Sequence, residues 1–392
     1  MKILIIGGTG TIGSGIIKAL RKDSNNIIDV VSRNKHEDFS GNLRHIQGDA
    51  KDYGFISGVV QAGVYDAIVD LMIWSEQEFL ERMSLFMENT GHYIAASTST
   101  VYWDTEKPIT EETARIFDVC NDVELKNSHE YRIEKSRIED NINESDYSNW
   151  TITRYSLTYG GKKIPLCVYP KEIWLYRALH GRTVLVAEEI MSKHVALTSG
   201  DEVGEKVKKI ICNEKTYRQI INVVSDEQIT WGDNLRICQN ALSSSGMAMK
   251  VKYISVHDMA KYIDRYSLLY DRMFDRIWDN SKFNELCGWG GGTKIDVNED
   301  LKDLIEKFIA APNFSAIDPY VYYHAYMDRV CGERTPLNEF SSSKAKIRYF
   351  IARNVSYHHA EKILSIIKKI LFPVRLLIKY RHERHNDSRN IK

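Results

Sequence analysis

A glycine-rich segment near the N-terminus constrains the fold of this chain more than any other feature. Residues 7–13 read GGTGTIG and follow the short aliphatic run 2–6. The run has the composition of a buried parallel strand, and residues 16–20 have helical spacing. Glycine is needed there because the turn requires backbone angles that side chains forbid, and because a pyrophosphate must approach bare amides at a helix N-terminus. The segment therefore predicts a dinucleotide site, with an ordinary turn as the alternative.

Chain length and charge set the domain organisation that we expect. With 392 residues, the chain is long enough for two domains and an appendage. We predict a dinucleotide-binding domain at 1–165 that includes a returning strand near 219–224, a substrate domain at 166–310 and a basic extension at 311–392. The 53 basic and 53 acidic residues balance, so the overall charge does not favour a nucleic acid as a specific partner.

The cysteines and the apolar runs bear on metal binding and on localisation. Six cysteines are scattered along the chain without a Cys-x-x-Cys pair. We therefore expect neither a metal site nor a disulfide framework, and we expect reduced thiols in a cytoplasm. No uninterrupted apolar run reaches the length of about 18 residues that a membrane span needs, and the apolar N-terminus is a strand, not a signal peptide.

Strand-like and helical segments alternate through the first half of the chain. Short apolar runs at 27–31, 43–47, 65–71 and 92–96 are separated by segments with helical spacing. This alternation predicts the α/β class, with an N-terminal Rossmann-type, doubly wound parallel sheet. We expect a smaller α/β substrate domain and a helical C-terminal extension to follow it.

The end of the second predicted strand bears on the choice of dinucleotide. In such folds an acid at this position binds the ribose 2′-hydroxyl, whereas an arginine accepts a 2′-phosphate. Ser32 and Arg33 favour NADP, and NAD is the alternative because Asp29 supplies an acid if the strand ends earlier. The predicted cofactor contacts at the strand ends are Gly7, Gly10, Thr11, Ile12, Gly13, Ser32, Arg33, Asp49, Ala50, Leu71 and Met72.

A hydroxyl cluster and a Tyr-x-x-x-Lys pair are the candidate chemical groups. The cluster, residues 97–102, follows the fifth predicted strand, and Tyr131 and Lys135 lie four residues apart on a predicted helix. A nearby ammonium group stabilises phenolate, so we expect Lys135 to lower the pKa of Tyr131 from its usual value of about 10. Such a tyrosine is a usable proton acceptor. The Tyr-x-x-x-Lys pair alone is weak evidence for a catalytic site, because it occurs by chance in many chains.

Taken together and in this order, the motifs resemble the extended short-chain dehydrogenase/reductase superfamily, in particular its nucleotide-sugar epimerase and dehydratase branch. The resemblance covers roughly residues 1–305. It is carried by Gly7, Gly10, Gly13, Asp49, residues 97–102, Tyr131, Lys135 and residues 154–160.

The resemblance implies roles for individual residues. Thr98 would hydrogen-bond the reacting sugar group, Tyr131 would exchange its proton, and Lys135 would hold the nicotinamide ribose. Tyr155 joins the cofactor contacts. The substrate contacts that it implies are Ser99, Thr100, Tyr159, Lys171 and Arg177. A homodimer formed through the Tyr131 helix is also implied.

Two positions depart from the family pattern. Members that eliminate water place an acidic pair directly after the active-site threonine, but here Ser99 and Thr100 follow Thr98. Many relatives also carry an asparagine where this chain has Leu157, and that asparagine helps to bind the substrate diphosphate. The first departure disfavours a 4,6-dehydratase, and the second weakens the nucleotide-sugar assignment.

These features favour an epimerase that acts by transient hydride abstraction from a nucleotide-sugar substrate in surface polysaccharide or glycoconjugate biosynthesis. The alternatives are an NADPH-dependent keto-sugar reductase and a non-catalytic relative that binds NADP or RNA. The basic amphipathic segment 357–381 can lie on an anionic membrane surface. Packing of this segment on the body of the protein or on a second subunit is the other interpretation.

Overall fold

The computed structural model of the chain describes residues 1–34, 41–290 and 295–355. Within these ranges the strands are β1 (Lys2–Ile6), β2 (Ile27–Ser32), β3 (Leu43–Gln47), β4 (Tyr65–Asp70), β5 (Thr90–Thr98), β6 (Trp150–Tyr155), β7 (Thr158–Tyr159), β8 (Val184–Ala187), β9 (His194–Val195), β10 (Thr198–Ser199), β11 (Gln219–Val223), β12 (Ile229–Thr230) and β13 (Val251–Ile254). The predicted membrane segment 357–381 lies outside the described residues.

The helices within the same ranges are α1 (Thr11–Leu20), α2 (Tyr53–Gly63), α3 (Glu76–Glu88), α4 (Ile116–Val119), α5 (Val123–Lys126), α6 (Tyr131–Asn143), α7 (Trp174–Leu179), α8 (Gly200–Ile210), α9 (Trp231–Ser244), α10 (Val256–Met259), α11 (Arg265–Ser267), α12 (Ser281–Cys287), α13 (Val297–Ala310), α14 (Val321–Cys331) and α15 (Ser343–Asn354). A π-helical turn spans Leu268–Arg272. No helix of the described residues combines the length and the apolar composition that a membrane crossing needs.

Seven parallel strands of the described residues form the main sheet, in the order β11-β6-β5-β4-β1-β2-β3. The predicted α/β class and doubly wound parallel sheet are confirmed. Residues 3–6 of β1 are fully buried, as expected of a strand covered on both faces. Ile3 and Ile5 pack in the core on one side of the sheet, whereas Leu4 and Ile6 pack on the other.

Helices α1 and α8 approach each other closely on one face of the sheet. A Cβ atom built on Gly204 of α8 would lie 2.1 Å from the carbonyl oxygen of Gly15 in α1. A Cβ atom on Gly15 would lie 1.7 Å from the carbonyl oxygen of Gly200. The two backbones can approach this closely only because neither helix carries a side chain at the contact.

The chain divides into two compact units whose boundaries differ from the predicted ones. Unit 1 contains Met1–Pro170, Glu189–Met247 and Tyr266–Pro312. Among the described residues, unit 2 contains Lys171–Glu188, Ala248–Arg265 and residues 313–355. Much of the segment predicted as a substrate domain therefore belongs to the same unit as the sheet. The physical reason is that α8 packs on α1, β11 completes the sheet and α13 packs on α9.

Unit 2 has its own small core. Strands β8 and β13 pair in parallel, and α14 packs on α15 around Val321, Phe340 and Tyr349. The described part of the predicted helical extension contains α14 and α15. Helix α7 spans Trp174–Leu179, and Gly181, two residues after its end, has a φ of +66°.

Candidate active site

Strand β5 and helix α6 bring the three predicted catalytic side chains together at the carboxyl edge of the sheet. Thr98 is the last residue of β5, and its hydroxyl accepts a hydrogen bond from the Thr100 amide at 3.2 Å. Helix α6 begins at Tyr131 because the Glu130 carboxylate caps it, accepting from the Arg132 amide. Thr98, Tyr131 and Lys135 line one cavity of about 310 Å³.

The pKa of Tyr131 is raised in this structure. The residue exposes 40% of its surface. Burial of the hydroxyl raises the pKa of Tyr131 above 10.0, and hydrogen bonding with Thr98 opposes the rise. The expectation that Lys135 lowers the tyrosine pKa is not met in this structure, where the ammonium instead donates to two backbone carbonyls.

Lys135 is held by the ends of two neighbouring strands. Its ammonium donates to the Ala96 carbonyl at 2.6 Å and to the Met72 carbonyl at 3.0 Å. Burial lowers the pKa of Lys135 to about 8, while the negative charges of Asp70 and Glu139 oppose that change. The ammonium therefore titrates close to neutral pH.

The glycine loop has room for an anionic ligand at the N-terminus of α1. Gly7 has a φ of +78°, a conformation that favours glycine. Gly10 is the N-cap residue of α1, and no side chain caps the first-turn amides. A Cβ atom on Gly10 would meet no atom within 4 Å. Open space beside uncapped amides fits a phosphate group, so these residues fit a dinucleotide.

Some of the predicted cofactor residues line the cavity, and others do not. Ile12, Leu71, Met72 and Tyr155 line the cavity together with the catalytic group. Thr11 instead donates a hydrogen bond to the Gly160 carbonyl at 3.2 Å. A Cβ atom on Gly13 would lie 2.3 Å from the Gly8 carbonyl oxygen, so this glycine is needed for packing within the loop.

Asp29 and Arg33, the two residues that bear on the choice of dinucleotide, have different surroundings. Asp29 is buried in the middle of β2, where it accepts from Nε and Nη2 of Arg44 and from the Tyr65 hydroxyl. It is therefore not available to a ribose. Arg33 is exposed after the end of β2, and the Ser32 hydroxyl donates to the Asn34 carbonyl. Asp49 is exposed after β3, whereas Ala50 is buried.

The predicted substrate residues fall in different places. Ser99 and Thr100 line the cavity. Tyr159 is fully buried and is not part of the cavity wall. Lys171 and Arg177 belong to unit 2 and are also absent from the wall. Lys171 is 4% exposed and pairs with Glu172.

Arg177 forms ion pairs within unit 2. Its guanidinium is fully buried and contacts Asp328 at 2.7 Å and Glu333 at 2.8 Å. Its Nε also donates to the Thr183 carbonyl at 2.7 Å, and the side chain has no exposed surface. Arg177 thus forms ion pairs within unit 2, and its predicted contact with substrate stays a prediction.

Sequence reasoning missed a set of basic and aromatic residues on the cavity wall. The missed residues are Lys163, Trp231, Asp271, Arg272, Arg276 and Trp278. Asp271 and Arg272 lie on the π-helical turn, a feature that often occurs at functional sites. The signal that was available was the lysine pair directly after Gly160 and Gly161.

The wall of this cavity carries an excess of positive charge. Asp271 is the only carboxylate among the described lining residues, and it pairs with Arg272 and Arg276. Lys163 donates to the Thr158 hydroxyl at 3.1 Å and forms no ion pair with a described carboxylate. Lys163 is exposed as a residue, but desolvation of its ammonium in the cavity wall, together with repulsion from Arg272, lowers the pKa of Lys163 to about 8. This wall suits an anionic ligand.

Similar proteins provide an independent comparison. No protein-family model matches the chain. The chloroplast stem-loop binding protein of 41 kDa b from Arabidopsis thaliana is 26% identical over 255 residues. The match covers 61% of this chain and 63% of that protein, which is less than two thirds of its length.

Several solved structures have the same fold. The dTDP-glucose 4,6-dehydratase of Bacillus anthracis, in complex with NAD, matches with a TM-score of 0.60 and 16% identity over 79% of this chain and 97% of that one. The UDP-glucuronic acid 4-epimerase of Bacillus cereus, in complex with UDP-glucuronic acid and NAD, has a TM-score of 0.57 and 17% identity over 79% of this chain and all of that one. The chain therefore shares its fold with NAD-dependent epimerases and dehydratases of nucleotide sugars.

Proposed function

We propose that the protein is an NAD(P)-dependent enzyme that modifies a nucleotide-activated sugar, and that it acts as an epimerase. One observation carries the proposal. Thr98, Tyr131 and Lys135 line the same cavity as Ile12, Leu71 and Met72, which lie beside the glycine loop. A proton-exchanging tyrosine and a dinucleotide site thus share one space.

The residues divide the work as follows. A bound nicotinamide supplies hydride transfer. Tyr131 exchanges a proton with the sugar hydroxyl that is oxidised, and Thr98 orients that hydroxyl by hydrogen bonding. Lys135 holds the nicotinamide ribose with its ammonium group. Since Ser99 and Thr100 stand where a dehydratase needs acids, the site favours epimerisation over elimination of water.

The basic wall supports an anionic substrate. Lys163, Arg272 and Arg276 offer donors to a diphosphate, and Trp231 and Trp278 add apolar surface to the same wall. These residues replace Lys171 and Arg177 in the role that the sequence had indicated. The pairing of Asp29 with Arg44 favours NADP, because this acid is engaged and an exposed arginine, Arg33, follows β2.

The test is turnover with a panel of UDP-, dTDP- and GDP-sugars in the presence of NADP⁺ or NAD⁺. An epimerase converts one sugar to its epimer, detected by NMR, without net change in nicotinamide absorbance. A keto-sugar reductase, the rival enzyme, consumes NADPH in proportion to product. Tyr131→Phe should slow turnover by about 10² to 10⁴-fold with dinucleotide binding retained. Turnover at the wild-type rate in this variant would exclude the proposed role of Tyr131.

RNA binding is the second candidate, supported by the name of the Arabidopsis relative. A hairpin RNA should then bind with an affinity that falls steeply as salt is raised. If hairpin binding is strong and survives Tyr131→Phe while no sugar is turned over, this second candidate replaces the enzyme. We also propose a homodimer, which sedimentation of the purified full chain tests.

A further inference from the structure

Asp70 is a buried carboxylate to which neither the sequence motifs nor the proposed function assigns a role. It is the last residue of β4 and is 2% exposed. One of its oxygens accepts from the Met72 amide at 2.9 Å. The other accepts from the Trp74 indole at 2.7 Å and from the Tyr93 hydroxyl at 2.8 Å. Three donors therefore fix a single carboxylate at the edge of the sheet.

These hydrogen bonds fix a segment that touches both parts of the site. Residues 71–73 follow Asp70 directly and line the cavity. The Met72 carbonyl receives the Lys135 ammonium, while a Cβ atom on Gly7 would lie 3.3 Å from the Met72 sulfur. The braced segment thus lies between the glycine loop and the proposed catalytic lysine.

Asp70 and Glu139, the two carboxylates near Lys135, differ in their partners. Glu139, one helical turn further along α6, accepts from Nε and Nη2 of Arg154 and lies 3.4 Å from Arg115, so arginines compensate its charge. Asp70 forms no ion pair with any lysine or arginine of the described residues. Burial raises the pKa of the Asp70 carboxyl group, and its three hydrogen bonds and the positive charge of Lys135 oppose that rise. Of the three predicted catalytic residues, Tyr131 is the other one, besides Lys135, that carries a titratable group.

We propose that Asp70 is a positioning residue: its hydrogen-bonded carboxylate fixes residues 71–73 so that the Met72 carbonyl lies against Lys135, and its negative charge acts on the Lys135 ammonium. The inference rests on the proposed function to the extent that Lys135 serves the cofactor. Its structural part, the coupling between Asp70 and Lys135, can be measured without any turnover.

The experiment follows the Lys135 amine by NMR in the full-length protein with ¹³Cε-labelled lysine, using a Lys135→Met variant to identify the signal. In the wild type the amine should titrate near pH 8. Asp70→Asn should lower this midpoint by about one pH unit or more, since an opposite charge nearby is lost. Trp74→Phe is the matched control, because it removes one donor to Asp70 but leaves the charge, and it should leave the midpoint unchanged.

An unchanged midpoint in a folded Asp70→Asn protein overturns the inference. If Asp70→Asn does not fold, the NMR titration of the wild-type protein tests the inference instead. The Lys135 signal must then show a second inflection at the pH where Asp70 gains its proton. Absence of this inflection would equally overturn it.

Dinucleotide binding, measured across the same pH range, separates this inference from the proposed function. With both correct, NADP⁺ affinity falls as Lys135 loses its proton, and it falls at a lower pH in Asp70→Asn than in the wild type. A wild type that binds neither NADP⁺ nor NAD⁺ refutes the proposed function, while the Lys135 midpoint still decides the Asp70 coupling.

Discussion

At the scale of single residues, the position of Lys163 in the cavity wall predicts how UDP binding depends on pH. The Lys163 ammonium is pushed towards deprotonation by desolvation and by Arg272, so an anion that binds there restores a favourable environment for the charge. UDP should bind the wild type well below pH 8 and progressively less well as the pH rises through about 8, where Lys163 loses its proton. Lys163→Gln should weaken UDP binding about tenfold and abolish this pH dependence, as measured by calorimetry.

Lys162 provides the matched control for Lys163. It is the preceding residue, it is exposed, and it is not part of the cavity wall. Lys162→Gln removes the same charge and should leave UDP affinity and its pH profile at the wild-type values. Equal losses in the two variants would mean that only general electrostatic attraction is involved, and the Lys163 subsite would be rejected.

At the same scale, Gly10 separates dinucleotide binding from folding. Its φ of −84° suits alanine, and a Cβ atom there meets nothing within 4 Å. Gly10→Ala should therefore change the free energy of unfolding by less than about 1 kcal/mol. The new methyl group would occupy the space beside the α1 amides, so NADP⁺ affinity should fall about tenfold or more. An unchanged NADP⁺ affinity, measured by fluorescence titration, would mean that the phosphates of the dinucleotide do not bind at this loop.

At the scale of secondary-structure elements, the α1–α8 contact should be sensitive to a single methyl group. Gly204→Ala places a Cβ atom 2.1 Å from the Gly15 carbonyl oxygen, so the helices must separate. We expect a loss of about 1–3 kcal/mol in the free energy of unfolding by urea. Gly58→Ala on α2 is the control, because its Cβ atom meets no atom within 4 Å. This control should be neutral or stabilising by up to about 1 kcal/mol.

The elements also show how far the sequence alone could predict this protein. The strands of the main sheet were predictable because parallel strands are continuous apolar runs. Tyr131 and Lys135 could be placed on one helix face by their four-residue spacing, whereas Thr98 was singled out from the hydroxyl cluster at 97–102 by the family resemblance. The ion pair of Arg177 was not predictable, since its partner Asp328 lies 151 residues further along the chain. Arg272 was missed for a related reason, because a π-helical turn has no simple sequence period.

At the scale of the whole molecule, charge is balanced overall but not locally. Helix α15 carries Lys344, Lys346, Arg348 and Arg353 and no acid. On the same helix, Ile347 and Phe350 are 50% and 59% exposed. Exposed apolar groups among basic ones are typical of a helix that lies on an anionic membrane surface. The sequence from 357 to 381, outside the described residues, repeats this basic and apolar composition.

We therefore propose that the C-terminal part of the chain binds anionic vesicles. The full chain should sediment with phosphatidylserine vesicles, but not with neutral phosphatidylcholine vesicles, and high salt should release it, because the attraction is electrostatic. Deletion of residues 357–392 should abolish most of the binding, and Ile347→Ser with Phe350→Ser should weaken what remains. The Lys162→Gln variant, which removes a basic residue elsewhere, should sediment like the wild type. Equal sedimentation of the full and shortened chains would reject the membrane role and favour packing of this segment on the protein itself or on a second subunit.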